Sequence, residues 1–252
     1  MTSKNSKPES PIYSLLFNIF IPVLILKNGY KWLNSVKDES IVGNLTKEIL
    51  IYFDKSSLVF GIALIFPVGY FIFDFIRRKN INVVSILGFV NILLTGGIGV
   101  FGANLGLSKN WFILKEGLLP LIIGFSLLIL SIYKKEYFNN IFLNEMMFNK
   151  DKINHYVSDP LKAEFDGIIK VTGYYFISGF FVSSVIQFIL ASMIVVSNPG
   201  DPSFNEEVST MTWVSYIAVL VPTMIILAKG FLGLISGIER LTGLKKEEFL
   251  RM

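Results

Sequence analysis

Six long apolar stretches occupy most of this chain, and each has about the length needed to cross a bilayer. They cover residues 11–33, 58–76, 83–107, 117–133, 168–197 and 211–236. A helix needs roughly 20 apolar residues to span about 30 Å of hydrocarbon. Because hydrocarbon offers no hydrogen-bond partners to the backbone, such stretches fold as helices. We therefore predict an all-α, polytopic membrane protein in which six transmembrane helices form one domain.

The charge content agrees with the membrane class. Charged residues make up 17% of the 252 residues, whereas soluble domains carry about 25%. The net charge of +4 comes from cations spread among the connecting segments. This distribution favours the lipid bilayer as partner and argues against nucleic acid. The chain has no cysteine and one histidine, so we expect no metal site, no cofactor and no catalytic residue set.

The lysines and arginines predict an orientation. With the first stretch starting inside, the cytoplasmic segments carry fourteen cations and the opposite side carries seven. The positive-inside rule then puts both termini in the cytoplasm. The cation-free segment 198–210 supports this orientation, and the lysine-rich segment 27–57 argues against it. We expect the first stretch to be retained rather than removed as a signal peptide, because it lacks a small-residue cleavage pattern.

The segment 134–167 is polar, but it keeps apolar residues at a helical spacing. These residues are Tyr137, Phe138, Ile141, Phe142 and Met146. Such a pattern is typical of an amphipathic helix at the cytoplasmic membrane surface, and equally of a connecting helix packed under the protein.

The third stretch carries small and polar residues at steps of three or four, which places them on one helical face. They are Gly88, Asn91, Thr95, Gly99, Gly102 and Gly106. Small residues let membrane helices approach closely. The fifth stretch has a comparable stripe with Gln187, and the sixth has one with Gly233. We expect the three stripes to face one another, either in close packing or around a polar path.

Charged groups at membrane depth cost a few kcal/mol, and each is a functional hypothesis by default. Lys229 lies roughly 9 Å past the middle of the sixth stretch. Its ammonium could reach the headgroups, pair with Asp74 or bind a ligand, and we predict that it points inward, close to Asp74. Glu116 lies at the outer start of the fourth stretch, where the helix dipole favours a carboxylate. The candidates for a polar path are Asn18, Asp74, Asn91, Thr95, Glu116, Gln187 and Lys229.

Part of the chain resembles a known family. The matching residues are Val84-Ser85-Ile86, Gly96-Gly97, Trp111-Phe112-Ile113-Leu114-Lys115 and Lys134-Lys135. In this pattern the segment 82–142 is similar to the intracellular septation protein A (YciB-like) family and to a related uncharacterised group. Glu116-Gly117 follows Lys115 where that family has Lys-Pro-Thr, which favours the uncharacterised relative. The resemblance implies a bacterial inner-membrane protein connected with cell-envelope integrity, with no catalytic site to carry over.

Two functions are compatible with these features. The first is a non-enzymatic inner-membrane protein of the cell envelope that acts through protein or lipid contacts, as a homo-oligomer or with envelope proteins. The alternative is a small-solute transporter or half-transporter with a polar path between the third, fifth and sixth stretches. A polar cavity at mid-depth would favour the transporter.

Overall fold

The computed structural model describes residues 16–36, 41–78, 83–143, 147–157 and 159–251. These residues are helical almost throughout, which confirms the all-α class. A π-helical turn, Leu16–Phe20, leads into the first α-helix. The α-helices are α1 (Ile21–Ser35), α2 (Ile41–Ile49), α3 (Lys55–Arg78), α4 (Val83–Phe101), α5 (Lys109–Tyr133), α6 (Lys135–Phe142), α7 (Lys150–Tyr156), α8 (Asp159–Ile194), α9 (Pro202–Ala218), α10 (Leu220–Thr242) and α11 (Lys246–Phe249). Residues 11–15 of the first predicted span lie outside the described residues.

Four helical stretches are long and apolar enough to cross a membrane. They are Lys55–Ile76, Lys109–Tyr133, Pro160–Ile194 and Pro202–Thr242. A shorter apolar helical stretch covers Phe89–Phe101. Large apolar side chains on these helices are exposed, among them Ile65 and Ile225 at 65% each, and lipid tails are the surroundings that suit such side chains. The protein is therefore membrane-embedded and helical, while the number of six spans stays a prediction.

Three segments predicted as connections contain helices. In segment 27–57, α1 continues to Ser35 and α2 follows. In segment 134–167, α6 and α7 form and α8 has already begun at Asp159. The prediction of a loop over 198–210 is wrong from Pro202 onward, where α9 begins. Proline suits a first helical position because its missing N–H is not needed there.

The contacts divide the chain into two compact units, whereas the sequence predicts one domain. Of the described residues, unit 1 contains 16–116 and Phe188–Tyr216. Unit 2 contains Gly117–Gln187 and 217–251. The chain passes from one unit to the other within α5, α8 and α9.

Aromatic rings form the centre of unit 1. Phe204 of α9 has its ring centroid 6.1 Å from that of Phe60 on α3 and 5.6 Å from that of Phe112 on α5. All three side chains are at most 1% exposed. Full burial of a phenylalanine contributes about 1.5–3 kcal/mol, so this cluster holds three helices together.

Two polar side chains of α9 form hydrogen bonds to the backbone of α3 and α1 in unit 1. The side-chain amide of Asn205 donates a hydrogen bond to the carbonyl oxygen of Ser56 at 2.9 Å. The hydroxyl of Ser209 donates to the carbonyl oxygen of Val23 at 3.2 Å. Both side chains are 1% exposed, and buried polar groups are tolerated when they are hydrogen-bonded in this way. These contacts explain why a polar segment forms a packed helix here.

Unit 2 has a phenylalanine-rich core, and its last described residues pair with the segment before α7. The backbone N–H of Asn149 donates to the carbonyl oxygen of Phe249 at 2.8 Å, and that of Arg251 donates to Met147 at 2.9 Å. Phe148 and Phe249 are fully buried, with ring centroids 6.4 Å apart. The described C-terminal residues are therefore docked onto the segment before α7.

Helix α6 buries one side of the amphipathic pattern found in the sequence. Phe138 and Phe142 are 2% and 8% exposed, and their ring centroids are 4.9 Å apart. Tyr137 and Ile141, on the other side, are 66% and 48% exposed. This arrangement fits the reading of α6 as a connecting helix packed on the protein.

Candidate functional site

Helix α5 carries a lysine into the interior of unit 1. The helix begins at Lys109, so Lys115 lies about 9 Å along its axis. The residue is only 7% exposed, and Phe112 and Ile113 just before it are buried as well. Lys115 therefore lies within an apolar helical stretch, whereas the predicted span beginning at residue 117 left it outside.

The ammonium of Lys115 has three hydrogen-bond acceptors. Its Nζ lies 3.2 Å from Oδ1 of Asn91, 2.7 Å from Oγ1 of Thr95 and 2.6 Å from Oε1 of Glu116. A lysine ammonium has three N–H donors, so these acceptors can satisfy all of them. The same nitrogen is 4.9 Å from the ring centroid of Phe112, within the range of a cation–π contact. We call these five residues the Lys115 cluster.

Two of the acceptors for the lysine are side chains of α4. Asn91 and Thr95 are four residues apart and therefore share one face of the helix. The hydroxyl of Thr95 donates to the carbonyl oxygen of Asn91 at 2.8 Å. With its proton used in this bond, the hydroxyl oxygen can accept from Lys115. The cluster thus joins α4 to α5, and its two α4 side chains, Asn91 and Thr95, lie within the predicted third span.

The cluster contains a largely buried ion pair. The side chains of Lys115 and Glu116 are 6% and 17% exposed. An isolated charge in such surroundings is costly, and the pair with its hydrogen bonds offsets that cost. Chemically, the arrangement places an ammonium beside a carboxylate, and charge-assisted hydrogen bonds of this kind are stronger than neutral ones.

Three of the candidate polar-path residues therefore come together, and the others lie elsewhere. Asn18 is half-buried in the π-helical turn, and Asp74 is half-buried in α3. Gln187, in α8, donates from its side-chain amide to the Ser183 hydroxyl at 3.3 Å. The cluster joins α4 to the part of α5 that precedes the fourth predicted span. The path between the third, fifth and sixth spans stays a prediction.

Lys229 is exposed on α10 of unit 2. Its Nζ lies 5.7 Å from the ring centroid of Tyr175 on α8. The sequence predicts that Lys229 points inward and pairs with Asp74. Its exposure within unit 2 fits the alternative that the ammonium extends toward the membrane surface. The pairing with Asp74 stays a prediction.

Two of the packing glycines predicted on the third span make close contacts in unit 1. A Cβ added to Gly99 would lie 2.4 Å from the Phe60 ring. A Cβ added to Gly102, which directly follows α4, would lie 2.8 Å from Pro199. Only glycine allows these approaches without a shift of the neighbour.

Two further predicted packing glycines, Gly106 and Gly233, make no such close contact. Gly106 has a φ of +65° and no atom within 4 Å of an added Cβ, so it is a turn residue that needs the left-handed conformation. Gly233 also faces open space. Gly88 lies in α4, but its surroundings fall outside the described residues.

The sequence contains a pattern that indicates an apolar helix on both sides of Lys115. Four apolar residues, Trp111-Phe112-Ile113-Leu114, directly precede the lysine. They indicate that the helix and its apolar section start before residue 115. The predicted fourth stretch begins only at residue 117, so it leaves Lys115 among the cations of the outer connecting segment.

Among the described residues, no three histidine, cysteine, aspartate or glutamate side chains are grouped so that they could hold a metal ion. Compared with protein-family models, curated proteins and solved structures, the chain has no match. The resemblance to the septation protein A family therefore stays a prediction.

Proposed function

We propose that the protein is a small-solute transporter of the bacterial inner membrane and that it binds a small carboxylate at the Lys115 cluster. The observation that carries the proposal is the 7% exposed Lys115 on an apolar helix, hydrogen-bonded to Asn91, Thr95 and Glu116. Ionisable residues within membrane helices are costly, and they commonly mark solute and ion pathways. The solute site of this proposal lies between α4 and α5.

The chemistry of the ion pair favours a carboxylate as the solute. A carboxylate oxygen of Glu116 already lies 2.6 Å from the ammonium. An incoming carboxylate can form the same charge-assisted hydrogen bond in its place. Asn91 and Thr95 would continue to hold the ammonium during the exchange.

A proton completes the charge balance of the proposed step. The ion pair is neutral, so a bound anion adds one negative charge in apolar surroundings, which is costly. A proton on Glu116 removes that charge and weakens its bond to Lys115. The carboxylate and one proton would therefore enter the site together.

The proposal includes the orientation predicted from the sequence. Six helices cross the inner membrane, and both termini lie in the cytoplasm, because the cytoplasmic segments would carry fourteen cations against seven. The lipid bilayer is the primary partner, and a homo-oligomer is the proposed assembly.

Uptake into liposomes tests the proposal. Purified protein is reconstituted, and the entry of radiolabelled succinate, glutamate and gluconate is compared with entry into protein-free liposomes. We expect uptake of at least one probe, loss of that uptake in Lys115→Met, and its retention in Glu116→Gln. Lys31→Met is the control, because Lys31 forms an exposed pair with Glu206 in the same unit. No uptake of any probe above the protein-free level would overturn the proposal.

A second candidate is the non-enzymatic envelope protein that acts through lipid contacts. The observation that favours it is a groove between two apolar helices of unit 2. The lining of this groove contains no residue of the Lys115 cluster. The absence of enzymatic activity stays a prediction in both cases.

A further inference from the structure

Helix α2 exposes apolar side chains although it is too short to cross a membrane. Its nine residues, Ile41–Ile49, give it a length of about 14 Å, whereas the hydrocarbon of a bilayer is about 30 Å thick. Leu45 and Ile49 are 55% and 39% exposed, and their spacing of four residues puts them on one side of the helix. Tyr52, in the turn that follows, is 73% exposed. The exposure of these side chains therefore needs an explanation other than a transmembrane position.

The other two sides of α2 differ from the apolar side. Asn44, Lys47 and Glu48 are polar and exposed. Gly43 is buried, and Leu50, directly after the helix, is half-buried, so this side is covered by the protein. At 3.6 residues per turn, the polar, the covered and the apolar residues occupy three separate sides. One side of α2 thus packs on the protein, a second suits water, and the third exposes apolar side chains.

Hydrogen bonds fix where α2 lies in unit 1. The ammonium of Lys55, the first residue of α3, donates to Oδ1 of Asn34 near the end of α1 at 2.8 Å. The chain segment that contains α2 therefore leaves and returns at the same end of unit 1. The side-chain amide of Asn104, just after α4, donates to the carbonyl oxygen of Tyr52 at 3.1 Å, so α4 ends there too.

This end of unit 1 is also where two spanning stretches begin. Both α3 and α5 start a stretch that is long and apolar enough to cross a membrane. The hydroxyl of Ser56 in α3 donates to the carbonyl oxygen of Asp201 at 3.0 Å. The backbone N–H of Lys109 in α5 donates to Oδ1 of Asn198 at 3.0 Å. The first residues of both helices therefore contact the same short segment, and they place this end of unit 1 at a membrane surface.

Exposed aromatic residues lie at the same end. Trp32, near the end of α1, and Trp111, near the start of α5, are 53% and 56% exposed. Tyr52 lies between α2 and α3. Tryptophan and tyrosine are enriched where membranes meet water, because one part of each side chain is apolar and another is polar. These residues favour the lipid surface over a second protein as the partner of the apolar side of α2.

We propose that α2 is an interfacial helix that lies in the headgroup region of the bilayer. Leu45 and Ile49 reach the acyl chains, and Lys47 and Glu48 stay in water. Amphipathic helices of this kind bury their apolar side about 5–10 Å into the boundary between headgroups and acyl chains. The partner is therefore the lipid surface itself. This inference goes beyond the proposed function, since α2 contains no residue of the Lys115 cluster.

Spin labels at single cysteines test this inference. The chain contains no cysteine, so each introduced cysteine carries the only label. The full-length protein is reconstituted into liposomes, and collisions of the label with oxygen, which concentrates among acyl chains, and with a water-soluble nickel chelate are measured. Labels at Leu45→Cys and Ile49→Cys should collide with oxygen and lose the nickel collisions that labels at Asn44→Cys and Lys47→Cys show. All four positions are exposed, so the substitutions should leave the fold intact.

Two further labels provide reference values. Ile65→Cys lies within the spanning stretch of α3 at a position that is 65% exposed, so its label reports the acyl chains. Glu247→Cys lies at an exposed position of the charged helix α11, so its label reports water. The ratio of oxygen to nickel collisions at Leu45→Cys and Ile49→Cys should be closer to that of Ile65→Cys than to that of Glu247→Cys.

Two outcomes would overturn the inference. Nickel collisions at Leu45→Cys and Ile49→Cys that are as frequent as those at Lys47→Cys would show that this side of α2 faces water. A loss of both oxygen and nickel collisions at the two positions would show that protein covers them, as a second copy of this chain would.

Discussion

The Nζ atom of Lys115 lies 2.6 Å from Oε1 of Glu116, its immediate neighbour in α5. Residues next to each other in a helix point in different directions, so the two side chains must bend together to meet. They do so where Asn91 and Thr95 supply two more acceptors. The consequence is a nearly buried charge pair that depends on both of its members.

Removal of the lysine should be more costly than removal of both charges. Lys115→Met removes the ammonium that lies 2.6 Å from Oε1 of Glu116, which should lower the free energy of unfolding by about 3–5 kcal/mol. The double variant Lys115→Met/Glu116→Gln should recover part of this loss, because it also removes the negative charge of the carboxylate. Thermal and denaturant unfolding in detergent would measure both effects.

The exposed pair Lys31–Glu206 provides the control for that series. Its side chains are 74% and 52% exposed, and its Nζ–Oε1 distance is 3.5 Å. Lys31→Met should change the free energy of unfolding by less than about 1 kcal/mol. Equal effects of Lys115→Met and Lys31→Met would contradict the burial of the Lys115 pair.

Gly99 should tolerate no larger side chain. In Gly99→Ala the new Cβ would lie 2.4 Å from the ring of Phe60, which is itself 1% exposed and cannot move freely. We expect a loss of about 1–3 kcal/mol from overpacking. Gly97→Ala on the same helix meets nothing within 4 Å and should be neutral or stabilising by up to about 1 kcal/mol. A stable Gly99→Ala would argue against this close approach of α4 to α3.

The docking of the C-terminal residues should weaken in acid. The backbone N–H of Lys245, and then the ammonium of Lys152, hold the pKa of Glu248 below its ordinary value. Because the pKa is lower in the folded protein, the carboxylate stabilises the fold above the unfolded pKa, and this contribution is lost as pH falls through the folded value. Amide hydrogen exchange of Asn149 and Arg251, corrected for the intrinsic rate, should therefore accelerate in acid.

Two variants test the assignment to Glu248. Glu248→Gln should show faster exchange at neutral pH and little further change in acid. Glu247→Gln alters the exposed neighbouring carboxylate and should behave like the unmodified protein. An acid response that persists in Glu248→Gln would assign the effect to another group.

Reporter fusions test the predicted orientation. A reporter that is active only outside the cytoplasm should be active at 198–201 and inactive within 147–157. These two sites flank the stretch Pro160–Ile194, which is long enough to cross the membrane once. Activity within 147–157 would show that the orientation derived from the cations is reversed.

Hydropathy alone predicted the helical membrane class, because long apolar stretches leave the backbone few alternatives. It did not predict the first part of α9, residues 202–210. Segment 202–210 contains Asn205 and Ser209, which are typical of loops in a membrane sequence. In the structure their polar groups bond to the backbone of α3 and α1. Such partners are distant in sequence, so a local pattern cannot reveal them.

Local sequence patterns also predicted only part of the candidate site. Asn91 and Thr95 were found because helical periodicity puts them on one face. Lys115 was missed because a charged residue at the edge of an apolar stretch indicates a boundary when only local hydropathy is considered. The structure shows that the helix begins at Lys109 and that three acceptors surround the ammonium. Lys115 therefore lies in the interior of unit 1.

Carboxylate uptake by paired variants tests the central claim most directly. In proteoliposomes, the unmodified protein should take up radiolabelled succinate, glutamate or gluconate above the protein-free level, because the solute carboxylate takes the place of Glu116 at the Lys115 ammonium. Glu116→Gln should take up the same probe, because its neutral amide leaves that ammonium to the solute. A Lys115→Met variant with undiminished uptake, or a Glu116→Gln variant without uptake, would contradict the account.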